Sequence, residues 1–289
     1  MKKHEGLDDL IDLHMHSSFS DGELKPNELI KLAVEKGIGT IAITDHDTLL
    51  GNQNINCDET KFLDIISGIE LSAKAEKGRM HILGYGIDIR NKELNEKMKE
   101  LKNNSIYSVL SLIHQIKKDY GIILNSEDIL GVLNSEHNIG RPDLAKLLVS
   151  YGLAPDFQTA FDKYLIDSYN KVRSTGKGIE YDECIDLILK AGGIPILAHP
   201  KTLELNQKDF LILLKQMISV GLRGIEVYHS SFSFEESENY MQIAERLGLL
   251  YSGGSDFHGP VATPNIEIGT GKNNNLKIKK LSILDHIKR

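Results

Sequence analysis

Seven short apolar runs rich in β-branched residues, set between longer stretches of helical periodicity, restrict most strongly how this chain folds. They cover residues 10–13, 40–44, 63–69, 80–85, 194–198, 224–228 and 249–252. Each suits a buried strand, in which branched side chains pack on a pleated surface. Helical patterns lie between them at 26–37, 181–191, 207–220 and 234–247. Pro26 stands near the first position of its helix, and Gly37, Gly192 and Gly248 stand where helices end. Such alternation predicts repeated β–α units and an α/β fold.

The middle of the chain departs from that alternation. From about residue 91 to 170 the periodicity is helical, with no convincing strand. A long amphipathic pattern covers 92–120, and shorter helices are expected at 126–133, 142–151 and 155–164. The expected organisation is therefore a barrel made of residues 1–90 and 171–289, interrupted by an all-helical insertion at 91–170. A chain of 289 residues is long enough for one large core plus a small inserted domain.

Polar residues gather where the strands end. The first strand runs into His14-Met15-His16, and alternation along a strand puts both imidazoles on one face. The second ends in Thr44-Asp45-His46-Asp47 and the third in Gly68-Ile69-Glu70. Later strands end in His199-Pro200, in Glu226 with His229, and in Asp256 with His258. In a closed β/α barrel those ends converge on the face where loops build the active site. His81 is the exception, lying near the start of its strand.

A lone histidine in a strand is ordinarily a packed core residue. Seven of the chain's eleven on one face are harder to dismiss. Imidazoles and carboxylates collected in an interior repel and are poorly solvated unless a cation joins them. A divalent metal resolves that conflict. Nitrogen and oxygen donors without thiolate suit Mn, Fe or Zn better than a structural zinc site.

Other features narrow the setting. Cys57 and Cys184 give neither a disulfide framework nor a metal-knuckle spacing, which points to a reducing cytoplasm. No apolar run is long enough to span a bilayer, and the first six residues do not resemble a signal peptide. The expected setting is cytoplasmic, with no membrane and no obligate protein partner. A net charge of −7 argues against broad attraction to nucleic acid. Any phosphate-bearing ligand must be captured by local positive charge or by bound metal. Ser17, Ser18 and Ser255 lack the Gly-x-Ser-x-Gly setting of a nucleophile. His4, His114, His137 and His286 fall outside the strand-end pattern and are expected at the surface, and Cys184 in the core.

The motifs in order are Asp12 with His14-Met15-His16, Ser20-Asp21-Gly22, Thr44-Asp45-His46-Asp47, His199-Pro200 and Gly254-Ser255-Asp256-Phe257-His258. Together they resemble the polymerase and histidinol phosphatase (PHP) superfamily of metal-dependent phosphoesterases. Gly140-Arg141-Pro142, Ala191-Gly192-Gly193 and Leu197-Ala198-His199-Pro200 narrow the resemblance. They are similar to the subgroup that hydrolyses nucleoside 3′,5′-bisphosphates, some of whose members trim RNA from its 5′ end.

The resemblance implies a distorted (β/α)7-type barrel with a helical, substrate-capping insertion and two or three divalent ions. His14, His16, Glu70 and Asp256 would hold the first ion. Glu70 would bridge to a second, completed by His81 and His199. Asp21, His46 and His258 would surround a third. Asp12 and Asp45 are expected to orient ligand imidazoles from behind. Arg141 would grip a phosphate of the substrate, since a guanidinium binds phosphate through two hydrogen bonds. The subgroup commonly has His where Asp143 stands, which bears on substrate choice. Lys171, Arg173 and Lys177 either add positive potential at the barrel mouth or form a solvated charge run. Glu226 and His229 are open between ligand support, substrate contact and packing.

The implied chemistry is attack on phosphorus by a metal-bound hydroxide, with no protein nucleophile. The substrate would be a small phosphorylated molecule, a nucleotide or short oligonucleotide, with the 3′-phosphate of a nucleoside bisphosphate first. A phosphatase for histidinol phosphate or another small phosphomonoester is the alternative within the superfamily. A non-catalytic metal-binding accessory module is the alternative outside enzymes.

Overall fold

A computed structural model of the protein describes residues 8–135, 139–172 and 179–287. The chain divides into two compact units, Met1–Asn95 with Gly178–Arg289, and Glu96–Lys177. His4, His137, Arg173 and Lys177 lie outside the described residues.

The first unit is built on seven strands. These are β1 (Asp8–Asp12), β2 (Ile38–Ile43), β3 (Asp64–Ala73), β4 (Met80–Tyr85), β5 (Ile194–Leu197), β6 (Gly224–His229) and β7 (Leu250–Gly254). They pair in chain order. β1, β2 and β3 are mutually parallel, as are β5, β6 and β7, whereas β4 runs against both of its neighbours. The two ends of the sheet meet just past β1 and β7. There the Leu13 N–H donates to Gly253 O (3.2 Å), the Asp256 N–H to His14 O (2.8 Å) and the His16 N–H to Phe257 O (2.9 Å). Gly254 permits this approach, because a Cβ there would run into the backbone of His14. The result is a mixed sheet nearly closed into a barrel, the α/β architecture expected.

In chain order the helices are α1 (Pro26–Glu35), α2 (Leu50–Gln53), α3 (Lys92–Tyr120), α4 (Ser126–Leu133) and α5 (Arg141–Ser150). They continue with α6 (Phe157–Ala160), α7 (Ile166–Val172), α8 (Tyr181–Lys190), α9 (Gln207–Ser219) and α10 (Phe234–Leu247). Helical spacing puts Cys184, Ile185, Leu187 and Ile188 on one buried face of α8. Burial of each such large aliphatic side chain contributes about 1.5–3 kcal/mol. Ser233 and Glu236 close a reciprocal cap at the start of α10, and Gly248, at φ 66°, ends that helix. Leu13, Ala42, Leu83, Tyr85 and Ile196 share one core cluster, while Met15, Leu29, Ile30, Ile41 and Ile43 bind α1 to the first strands.

One strand differs from expectation in a way that matters for the site. β3 does not end near Ile69 but continues to Ala73, because residues 68–73 pair with the whole of β4. Only six residues separate the two strands, enough for a hairpin but not for the helical crossover that a parallel pair requires. β4 is therefore reversed. Its start, where His81 lies, falls at the same barrel end as the C-termini of the parallel strands.

The second unit is all helical among its described residues. Val109, Leu112, Ile116, Leu144, Leu148 and Leu165 lie in its core. Asn125 caps α4 and Asp156 caps α6. The Asp143 carboxylate accepts the Gly140 N–H (2.7 Å) at the start of α5. The single helix expected over 155–164 is instead α6 followed by a π-helical turn, Phe161–Leu165, that leads into α7 and buries Tyr164 and Leu165. His114 and His286 are exposed and Cys184 is buried, as expected. Among the described residues no helix is long and apolar enough to cross a membrane.

Candidate metal centre

The end of the barrel where the parallel strands finish gathers all nine side chains that the sequence singled out. His14 and His16 extend from β1, His46 from β2, His199 from β5, and Asp256 and His258 from β7. Glu70 lies inside β3, fully buried, and its two carboxylate oxygens face different partners. Oε2 lies 3.1 Å from His14 Nε2, 3.1 Å from His16 Nε2 and 3.3 Å from His46 Nδ1. Oε1 lies 2.8 Å from both His81 Nδ1 and His199 Nε2, which are themselves 3.3 Å apart. Asp256 Oδ1 completes the first group, 3.2 Å from His16 Nε2 and 3.4 Å from His14 Nε2. A third group forms around Asp21, with His258 Nε2 at 3.2 Å, His16 Nδ1 at 3.6 Å and His46 Nε2 at 3.9 Å. The rings pack face to face as well: His16 stacks on His258 with centroids 4.2 Å apart.

Hydrogen bonds behind the cluster decide which nitrogen of several imidazoles faces it. The His258 Nδ1–H donates to the Asp256 carbonyl (2.9 Å), which leaves a lone pair on Nε2 toward Asp21. The Thr202 hydroxyl donates to the Arg79 or His199 carbonyl and accepts from His199 Nδ1 (3.0 Å), leaving Nε2 toward Glu70. Glu226 Oε1 accepts a hydrogen bond from the His14 Nδ1–H (2.9 Å). Fully buried His16 Nε2 makes no hydrogen bond, although two carboxylate oxygens lie beside it. Lone-pair atoms thus converge on one another, and among the described residues no lysine or arginine pairs with Asp21, Glu70 or Asp256. That donor set fits divalent cations.

Charge is redistributed to match. Burial pushes His16 down, but the adjacent carboxylates of Asp256, Glu70 and Asp21 outweigh it, and its pKa is pushed up to about 10. Burial is likewise overcome at His14, where Glu226, Glu70 and Asp256 hold the pKa well above its ordinary value. Burial would raise Glu70, yet His46, His14 and His81 hold it well below the usual carboxylate range. Asp256 is depressed in the same way by His14, His16 and His229. His46 goes the other way, to about 4, because burial and repulsion from His16 and His81 exceed the attraction of Glu70 and Asp21. Protons on His14 and His16 thus balance the buried carboxylates, a task that a divalent cation performs equally well.

Backbone strain marks the same place. Asp47, His199 and Asp256 adopt positive φ of 50°, 21° and 56°. For residues other than glycine such conformations typically cost about 1–3 kcal/mol and persist where the surroundings over-determine them.

Two expected roles are corrected. Asp12 accepts backbone N–H groups of His14 (3.3 Å), Ser255 (2.9 Å) and Gly269 (2.7 Å). Asp45 accepts the Ser17 N–H (2.7 Å) and the hydroxyls of Ser17 (2.7 Å) and Ser20 (2.6 Å). Neither carboxylate hydrogen-bonds an imidazole; both hold the loops on which imidazoles stand, Asp12 through backbone N–H groups and Asp45 through one backbone N–H and two hydroxyls. Glu226 and Thr202 orient imidazoles instead. Glu226 had a signal in the sequence, a carboxylate inside an apolar strand, whereas Thr202 is one ordinary polar residue in a loop.

In the helical unit, the Arg141 guanidinium lies 4.3 Å over the Tyr169 ring and 5.8 Å from Phe161. It pairs with no carboxylate among the described residues. It borders a cavity of about 180 Å³ that Ser105 and Ser108 also line. Lys171 is engaged elsewhere, 3.0 Å from Asp119.

The PHP domain matches this chain over residues 12–194, well over half its length, and the chain belongs to that family. It is a metal-dependent phosphoesterase. A 3′,5′-nucleoside bisphosphate phosphatase of Chromobacterium violaceum is 29% identical over 258 residues, covering 86% of this chain and 87% of that protein. The 5′-3′ exoribonuclease Rnm of Escherichia coli is 29% identical over 273 residues, covering 90% of this chain and 88% of the relative. Among solved structures, an amidohydrolase from Chromobacterium violaceum with bound sulfate superposes with a TM-score of 0.80 at 27% identity, covering 96% and 95% of the two chains.

Proposed function

We propose that this phosphoesterase releases the 3′-phosphate of nucleoside 3′,5′-bisphosphates, with adenosine 3′,5′-bisphosphate as the representative substrate. His14, His16, Glu70 and Asp256 would hold one ion, Glu70 with His81 and His199 a second, and Asp21, His46 and His258 a third. Divalent ions in such a setting make water a competent nucleophile near neutral pH and neutralise phosphoryl oxygens. Two serines beside the cluster are poor nucleophiles, since Ser17 Oγ donates to Asp45 and Ser255 is fully buried. Water as the acceptor, and hydrolysis as the outcome, agree with the family of metal-dependent phosphoesterases to which the chain belongs.

Arg141 carries the choice of substrate. A guanidinium stacked on an aromatic ring, without a described carboxylate partner and beside a small cavity, suits a phosphate that is held rather than cleaved. We assign it to the second phosphate of the bisphosphate. The bisphosphate phosphatase named above supports this reading. Trimming of short RNA from its 5′ end is the second reading, favoured by the equal identity to the exoribonuclease. Phosphate and nucleotide release with Mn²⁺ should be compared on adenosine 3′,5′-bisphosphate, histidinol phosphate and a short 5′-phosphorylated RNA. The proposal expects the highest kcat/KM on the bisphosphate; a higher value on histidinol phosphate would overturn it, and a higher value on RNA would favour the second reading.

A further inference from the structure

We propose that β6 supplies no metal ligand and instead positions the ligands of three neighbouring strands, through Glu226 and His229. The inference rests on the reading of His14, His199 and Asp256 as ligands.

Glu226 and His229 are three residues apart, so in a regular strand they would point to opposite faces. The pairing of β6 with β7 slips between Glu226 and Tyr228, and this bulge turns both side chains inward. Glu226 is 0% exposed and His229 6%. One carboxylate then serves two sites. Oε1 accepts from His14 Nδ1 (2.9 Å), and Oε2 accepts the backbone N–H of His199 (2.7 Å). The second bond holds the residue whose φ of 21° is the least ordinary in the cluster. Glu226 thus fixes the tautomer of one imidazole and the strained backbone that presents another.

His229 also lies close enough to His14 and Glu226 for the three to form a compact cation site. Its hydrogen bonds argue against that role. The Ser231 backbone N–H reaches His229 Nδ1 at 3.0 Å, and a backbone N–H only donates. Nδ1 is therefore the acceptor and Nε2 carries the proton. That N–H points at Asp256 Oδ2, 3.2 Å away, while Asp256 Oδ1 faces His14 and His16. His229 is the hydrogen-bond donor that turns Asp256, and it has no lone pair to offer a cation there.

Equilibrium dialysis of the full chain against Mn²⁺ tests the assignment, using wild type, Glu226→Gln, His229→Leu and His229→Gln. The melting temperature of each EDTA-treated protein reports folding. Glu226→Gln and His229→Leu should bind as many ions as wild type but about 10–100-fold more weakly, as expected when groups that orient ligands are removed. His229→Gln keeps an N–H donor and should recover most of the affinity. Unchanged affinity in Glu226→Gln and His229→Leu would overturn the proposal. So would the loss of one whole ion in His229→Leu that His229→Gln fails to restore, since that is the behaviour of a ligand. Should Glu226→Gln not fold, the His229 pair decides alone. A wild type that binds no Mn²⁺ would defeat the metal reading itself, a distinct result.

Discussion

The two units of this chain place functional groups in opposite ways. In the barrel the reactive groups are themselves the packing: Glu70 touches five imidazoles, rings stack on rings, and His16 and Glu70 are fully buried. In the helical unit the core is aliphatic and aromatic, and Arg141 is a half-buried guanidinium laid on Tyr169. Chemistry that needs several charges close together requires an interlocked scaffold, which pays in strain at Asp47, His199 and Asp256. The phosphate grip proposed for Arg141 needs only one long side chain and a ring to lie on. Substitutions should therefore act broadly in the first unit and selectively in the second.

The largest effects are expected inside the cluster. His14→Ala and Asp256→Ala should lose bound metal and reduce phosphate release to the level of EDTA-treated wild type on every substrate. Substantial Mn²⁺-stimulated release by either variant would break the contrast. Acidity gives the next effect. The metal-free pKa of His16 is raised from 6.5 to about 10, so its contribution to stability is complete below pH 6.5 and is lost as pH rises toward 10. Glu70 and Asp256 are depressed, so theirs is present above their ordinary values and lost as pH falls. EDTA-treated protein should therefore melt at progressively lower temperature between pH 6.5 and pH 9. Mn²⁺ displaces those protons and should remove the decline; identical slopes with and without Mn²⁺ would contradict this.

Arg141→Ala should be smaller and selective. A hydrogen-bonded charge pair contributes about 1.5–3 kcal/mol, so kcat/KM on adenosine 3′,5′-bisphosphate should fall roughly 10–100-fold. Activity on a simple monophosphate should hardly change. Equal losses on both would erase the distinction between the units. The smallest effect belongs to exposed His114, whose replacement by Ala should leave melting temperature and rates unchanged.

Much of this arrangement is legible in the sequence. The strands are, because branched apolar runs have few other uses, and so is the gathering of His14, His16, His46, His199 and His258 at their ends. His81 is harder, since strand direction is a tertiary matter; the six-residue link after Ala73 was the available signal. The extension of β3 through Glu70 to Ala73 was hidden because Glu, Ser and Ala are not strand-forming residues, and pairing with β4 makes them one. The partners of Asp12 and Asp45 were illegible for another reason. A buried carboxylate takes whichever donors the fold brings near, and for Asp12 one is the N–H of Gly269, 257 residues away. The helix beside Arg141 was expected over 142–151, but the seat of Arg141 on Tyr169 depends on how α5 and α7 pack.

Glu70 is the point on which the account turns, since one carboxylate faces two groups of imidazoles. The most direct measurement is the number of Mn²⁺ ions retained per chain after equilibrium dialysis, for wild type and for Glu70→Gln. Wild type should retain at least two ions, and Glu70→Gln should lose those that share Glu70, keeping at most the one near Asp21. Retention of the wild-type number by a folded Glu70→Gln protein would contradict a metal centre built around this residue.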